Sequence, residues 1–156
     1  MEIEKKFTIK HLPDNLENYP CKTMEQGYLC DRPVVRIRKS NHDYILTYKS
    51  KIGVVEDSDN TRVCNEVEVM LTKEAYEHLK PKCDGVIIEK KRYLIPYEKW
   101  TIELDVFSGA YEGLQIAEVE FESIEEAESF QKPSWFLEDV SMEERYSNRY
   151  LAYKGI

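Results

Sequence analysis

Like-charged residues recur two apart on strand after strand of this chain, and that pattern limits its fold more than any other feature of the sequence. Residues 2–9 set Ile3, Phe7 and Ile9 against Glu2, Glu4, Lys6 and Thr8, the period-two alternation of a half-buried strand. The same alternation places Val35 and Ile37 against Arg36 and Arg38, and Val67 and Val69 against Glu66 and Glu68. Trp100, Ile102, Leu104 and Val106 oppose Glu103 and Asp105, while Ala117, Val119 and Phe121 oppose Glu118 and Glu120. Tyr44, Leu46 and Tyr48 oppose Ile45, Thr47 and Lys49, and Lys90 and Arg92 share a face of a less regular strand over 87–93. With a further strand over 26–30, about eight strands are available.

Residues at i and i+2 lie on one side of a strand, about 6–7 Å apart. Like charges in that relation repel, and an ordinary solvated face mixes signs or uses Thr and Ser. One such pair is unremarkable on a wet surface. Repeated across one short domain, the pairs point instead to a concentrated ligand that carries both signs. Phosphates answer the Arg and Lys strands, and divalent cations answer the Glu strands, because carboxylate oxygens are the donors that Mg2+ and Mn2+ favour. Arg adds bidentate forks for phosphate oxygens, whereas Lys acts as a point charge. If the charged faces line a closed barrel, the apolar faces point outward, and helices or a partner chain must cover them. Such a barrel is the inverse of one with an apolar interior.

Composition agrees with a single globular domain. The chain has 156 residues, 42% hydrophobic and 33% charged, and one domain over 1–156 is expected. A net charge of −8 argues against nucleic acid or an anionic membrane as partner. No apolar run reaches the roughly 18 residues of a membrane span, and the N-terminus lacks the apolar core of a secretory signal. Cys21, Cys30, Cys64 and Cys83 are spread without C-x-x-C pairing, and His11, His42 and His78 are equally scattered. Reduced, packing cysteines and a cytoplasmic location follow.

Helical signals are few. Thr72 stands as an N-cap for 73–80, and Ser123 with Glu126 has capping-box spacing ahead of Pro133. Ser141 with Glu144 repeats the box before a helix that includes Tyr146 and runs to about Leu151. The Asp-, Ser- and Gly-rich stretch 53–60 reads as a loop.

In order along the chain, these residues resemble the CYTH domain, or triphosphate tunnel metalloenzyme, superfamily. Glu2-x-Glu4-x-Lys6 matches its ExExK signature. The similarity continues through Gln26-Gly-Tyr28, Arg36-Ile-Arg38, Thr47-x-Lys49, Glu66-Val-Glu68 and Lys90-Lys-Arg92-Tyr93. It extends over Trp100…Glu103-Leu-Asp105 with Phe107 and Gly109, Glu118-Val-Glu120, Pro133-x-Trp135 and Arg145-Tyr-Ser-Asn148 with Leu151-Ala152. The resemblance implies a closed eight-stranded antiparallel β-barrel with a few short covering helices, Mg2+ or Mn2+ dependence and a linear triphosphate substrate. Compact bacterial-type members of about this length resemble inorganic tripolyphosphatases more than cyclases, and that is the activity the resemblance implies here. A class IV adenylate cyclase is the alternative, but its His-Phe-containing insertion has no counterpart after His11. A thiamine triphosphatase would need apolar contacts for an organic group, and a non-catalytic polyphosphate- or nucleotide-binding module would lack a metal-binding Glu.

On this basis Glu2, Glu4, Glu118 and Glu120, with Asp105, are the expected metal ligands. Lys6, Arg36, Arg38, Lys49, Lys90 and Arg92 are expected to hold the phosphate chain, with Glu2, Glu4, Lys6 and Lys90 at the reacting end. Water attacks a terminal phosphorus in this scheme, and catalysis rests on positioning and charge stabilisation. Glu66 and Glu68 are expected to orient the cations. Glu103 either does the same or forms a salt bridge in the wall. Tyr28 is expected to pack in the wall, and Lys154 is a candidate to reach the cavity from the tail. A homodimer is left open.

Overall fold

The computed structural model describes residues 2–51 and 62–153. The expected loop over 53–60 and Lys154 lie outside the described residues. Nine strands follow one another as β1 (Glu2–Ile9), β2 (Cys21–Cys30), β3 (Val34–Ser40), β4 (Asp43–Ser50), β5 (Arg62–Met70), β6 (Asp84–Tyr97), β7 (Trp100–Ser108), β8 (Gln115–Phe121) and β9 (Phe136–Asp139). Their order in the sheet is β5-β4-β3-β2-β6-β7-β8-β1-β9, and β5 also pairs with β1. Every pairing is antiparallel, so the first eight strands close into a barrel.

Closure divides one edge of β1 between two partners. Glu2–Glu4 pairs with β5, and Phe7–Ile9 pairs with β9 across a register irregularity. The ninth strand was not expected. Its sequence, Phe-Leu-Glu-Asp, buries only Phe136, which leaves no alternation to read.

The outer face carries the larger apolar core. Ile3, Phe7, Leu104, Ala117, Val119 and Phe121 pack beneath Ala127, Phe130 and Phe136. Phe7 meets Phe136 at 4.7 Å between ring centroids, and Trp100 and Phe121 both stand edge-on to Phe130. Helix α2 (Ile124–Ser129) holds this lid. Its Ser123 hydroxyl accepts from Glu126 N at 3.0 Å, as capping-box spacing requires. Glu126 completes no reciprocal bond to Ser123; its carboxylate accepts from Trp100 Nε1 at 2.6 Å, which ties helix to barrel. Helix α1 (Lys73–Leu79) begins at the expected Thr72 cap and buries Tyr76 against Tyr44. Ile37, Leu104 and Val119 are covered as expected, whereas Val67 is 56% exposed on the outside of β5.

A second cluster lies on the inward face at one end of the barrel. Tyr28, Ile88, Phe107 and Ile116 meet Leu151 and Ala152 of helix α3 (Asn148–Tyr153). The helix expected after Ser141 is instead a 3-10 turn over Glu144–Tyr146 followed, beyond Ser147, by α3. The 3-10 turn has Glu143, not Ser141, at its N-cap position; the Ser141 hydroxyl accepts from Lys6 N at 2.9 Å and bonds Asp139, stitching the tail to β1. Ser147 takes the capping role, accepting from Tyr150 N. Gly85, at φ +60, lets β6 approach α3 so closely that a Cβ there would meet the Ala152 carbonyl oxygen at 1.9 Å.

If β9 and α2 form one lid, neighbouring residues must respond very differently to truncation. Phe136→Ala is expected to cost about 3–5 kcal/mol. Leu137→Ala, 44% exposed, should change stability by no more than about 0.5 kcal/mol. Urea unfolding of the two variants checks this.

Candidate active site

The barrel encloses a cavity of about 350 Å³. Volumes of this order are those of small-ligand sites. Strand register explains why its wall is charged: Glu4 stands opposite Glu120, Lys6 opposite Glu118, and Glu103 opposite Glu118, so these residues share the inward face. Across the barrel, Arg36 pairs in register with Thr47, Lys49 with Glu66, and Thr47 with Glu68. The expected residues Glu2, Glu4, Lys6, Arg36, Arg38, Lys49, Arg92, Glu118 and Glu120 all line this one cavity, together with Glu66, Glu68, Glu103 and Tyr28. Tyr28 is also a wall residue, 3% exposed, with its ring tilted against that of Tyr153 at 6.2 Å between centroids.

Two expected residues do not reach the wall. Asp105 is fully buried, and both of its oxygens are taken, by Arg92 Nε at 2.7 Å and by Arg92 and Lys90 Nζ at 2.8 and 2.7 Å. That carboxylate positions cations and has no free oxygen facing the cavity. Lys90 lies behind the wall, between Asp105 and Asn148 Oδ1 at 3.3 Å. Strand parity gives the side on which a residue faces. It does not give the depth at which its end group stops.

The carboxylates divide into satisfied and frustrated ones. Burial works against the charge of Glu118, yet Lys6, Arg92 and Lys90 hold its pKa far below the usual range. Burial also opposes the charge of Glu2, but Lys49, at 2.8 Å, keeps it ionised. Glu4 is different. Burial, with the charges of Glu118 and Glu2, pushes it up to about 8. Glu66 is pushed up to about 7 by burial and by its bond to Glu2, and Glu120 and Glu103 are raised by burial as well.

Among cations, burial followed by Arg36 and Arg92 brings Arg38 down to about 9, and burial brings Lys90 down to about 7. Gln26 Nε2 and Arg36 Nε are buried donors without a partner. A cavity that presses its acids to hold protons and leaves a buried guanidinium N–H unanswered is arranged for cations and anions together.

Glu2, Glu4, Glu118 and Glu120 suit a hard divalent cation. Their donors are carboxylate oxygens, and the like-charge pressure on Glu4 is what a cation relieves. Among the described residues no three acidic, thiol or imidazole groups already form a metal cage, so these carboxylates ring the cavity without converging on one point.

Sequence reasoning missed Lys22, Cys64, Asn148 and Arg149 on the wall. Lys22 shares the register of Arg92 and was recoverable once β2 was extended to Cys21. Cys64, 3.6 Å from Glu2, shares parity with Glu66. Asn148 and Arg149 belong to a helix and leave no period-two trace.

The CYTH domain description matches residues 1–150. The chain is 36% identical over 157 positions to an inorganic triphosphatase of Nitrosomonas europaea, covering 97% of this chain and 96% of that protein. It is also 36% identical over 152 positions to an inorganic triphosphatase of Acetivibrio thermocellus, covering 94% and 90%. A crystal structure of an inorganic triphosphatase superposes with a TM-score of 0.70 at 33% identity, covering 97% of this chain and 94% of that one.

The frustration of Glu4 has a measurable sign. Its carboxyl moves from an ordinary 4.5 to about 8 on folding. Between those values the folded state binds the extra proton, so stability falls as pH rises through that window. Glu4→Gln mimics the protonated form. In chelator it should raise the melting temperature at pH 8, and raise it much less at pH 5, as scanning calorimetry can check.

Proposed function

This chain belongs to the CYTH domain family, and we propose that it hydrolyses inorganic tripolyphosphate to pyrophosphate and phosphate in a divalent-metal-dependent reaction. The observation that carries this reading is the convergence of Glu2/Glu4 and Glu118/Glu120 with Lys6, Arg36, Arg38, Lys49 and Arg92 on one cavity. Apolar side chains are a minority of its wall, and Tyr28 is the one aromatic among the described lining residues. That supports a bare polyphosphate over a substrate with a nucleoside or thiazole group. It also favours triphosphate hydrolysis over nucleotide cyclisation.

Glu2, Glu4, Glu118 and Glu120 would hold Mg2+ or Mn2+, which when bound neutralises phosphate charge and lowers the pKa of the attacking water. The protein's own cations do the positioning. Arg36 and Arg38 present forks to phosphate oxygens from β3, with Lys49 and Lys6 as point charges from neighbouring strands. Arg92, fixed by Asp105, contributes a guanidinium that cannot drift. Lys90, with a proton affinity near neutrality and a bond to Asn148, can hold or release a proton at Nζ beside this array. The charges stand in place before reaction, so little reorganisation accompanies the transition state. Cys21, Cys30, Cys64 and Cys83 are free thiols, which supports the cytoplasm as the working compartment.

Phosphate release from tripolyphosphate, ATP and thiamine triphosphate is the direct test, with products resolved by ion chromatography. Tripolyphosphate is expected to be the preferred substrate, and EDTA to abolish turnover. Glu120→Gln should lower kcat on the order of 10²-fold, because lost charge stabilisation of several kcal/mol acts on the transition state. Arg38→Ala should act mainly on KM. Cyclic AMP formed from ATP would replace hydrolysis with cyclisation, and undiminished turnover in EDTA would remove the metal from the scheme.

A further inference from the structure

Arg149 lines the same cavity as the strand residues, yet its ion pairs lead away from it. Its guanidinium donates to Asp31 in the β2–β3 turn and to Glu144 in the 3-10 turn before α3, each at 2.5 Å. Those partners are 46% and 55% exposed at the side chain, whereas Arg149 is 21% exposed. Three of the wall's other cations are anchored inward: Arg92 on Asp105, Lys49 on Glu2 and Glu66, Lys6 on Glu118. Neither Asp31 nor Glu144 lines the cavity.

Exposed ion pairs are weak and salt-screened. A guanidinium forked onto phosphate oxygens in a partly buried setting makes stronger, charge-assisted bonds. Exchange of one for the other needs only rotation of a long side chain. The helix beneath it is fixed independently, because Tyr111 Oη bonds the Leu151 carbonyl, Tyr153 Oη donates to Asp84 at 2.8 Å, and Gly85 admits Ala152.

We propose that Arg149 is a further substrate-binding residue, latched by Asp31 and Glu144 and transferred to the phosphate chain when substrate enters. The assignment rests on the triphosphatase reading. It makes the α3 end of the cavity cationic toward substrate and gives the C-terminal helix a part in binding that the strands do not share.

Opposite signs separate this role from a purely structural latch. Arg149→Met, which keeps most of the aliphatic stem, should raise KM for tripolyphosphate about tenfold with kcat changed by no more than about twofold. Arg149→Lys should recover part of that loss. The double variant Asp31→Asn/Glu144→Gln frees the guanidinium and should lower KM below the parent value. Calorimetric titration of tripolyphosphate into metal-free protein should give the same order of affinities. A parental KM in Arg149→Met, or a raised KM in the double variant, overturns the proposal. A parent protein that binds tripolyphosphate without hydrolysing it overturns the triphosphatase reading and leaves the titration to judge Arg149.

Discussion

Asp105 is the contact on which the charged interior depends. One carboxylate, wholly removed from solvent, fixes a guanidinium through two bonds and an ammonium through a third. Without it, Lys90 would lose its buried ion pair and Arg92 would keep only Glu103 and Glu118, each at 3.6 Å, and breaking such a buried arrangement costs several kcal/mol. With it, two side chains of like charge can share one face of β6 and still leave Arg92 facing the cavity. The same logic, less complete, runs round the barrel. Lys49 lies between Glu2 and Glu66, and Thr47 bridges Arg36 and Glu68.

This arrangement is open at one point by construction. Burial, and after it the charges of Glu118 and Glu2, leave Glu4 to hold a proton that bulk solution at neutral pH would remove. On the opposite wall the excess is positive, and Arg38 feels Arg36 and Arg92 as repulsions. An ordinary core would remove such charges. Here the antiparallel register sets Glu4 opposite Glu120 and Glu103 opposite Glu118, so the repulsion is built into strand alignment and would be lost by a slip of one residue.

Much of this was legible because period-two alternation carries two messages at once. The apolar set gave the strands, and the identity of the polar set gave the chemistry. Glu2/Glu4 and Glu118/Glu120 come together because β1 and β8 pair directly, and parity alone was enough to place them. Other features left no such mark. Phe136–Asp139 buries one residue in four, so β9 has no period. Ile88, Phe107 and Ile116 sit at the same parity as the charged residues, and only the presence of α3 makes that end of the interior apolar. Asp105 shares a face with Glu103 in sequence but differs in depth, since its nearest cations lie on β6 and consume it. Arg149 shows the same limit from a helix: its place on the wall depends on a tertiary docking that spans more than a hundred residues to Asp31.

The like-charged interior also bears on how long a molecule of this kind lasts. A ligand that binds only the folded chain adds stability in proportion to the logarithm of its concentration over its dissociation constant. For a barrel whose empty cavity repels itself, that contribution falls on the very strands that hold the barrel shut, β1 against β5 and β8. If cations and polyphosphate fill the cavity as proposed, their scarcity would do more than idle the enzyme. It would raise the fraction of chains open to proteolysis, so that abundance would follow the supply of what fills the cavity.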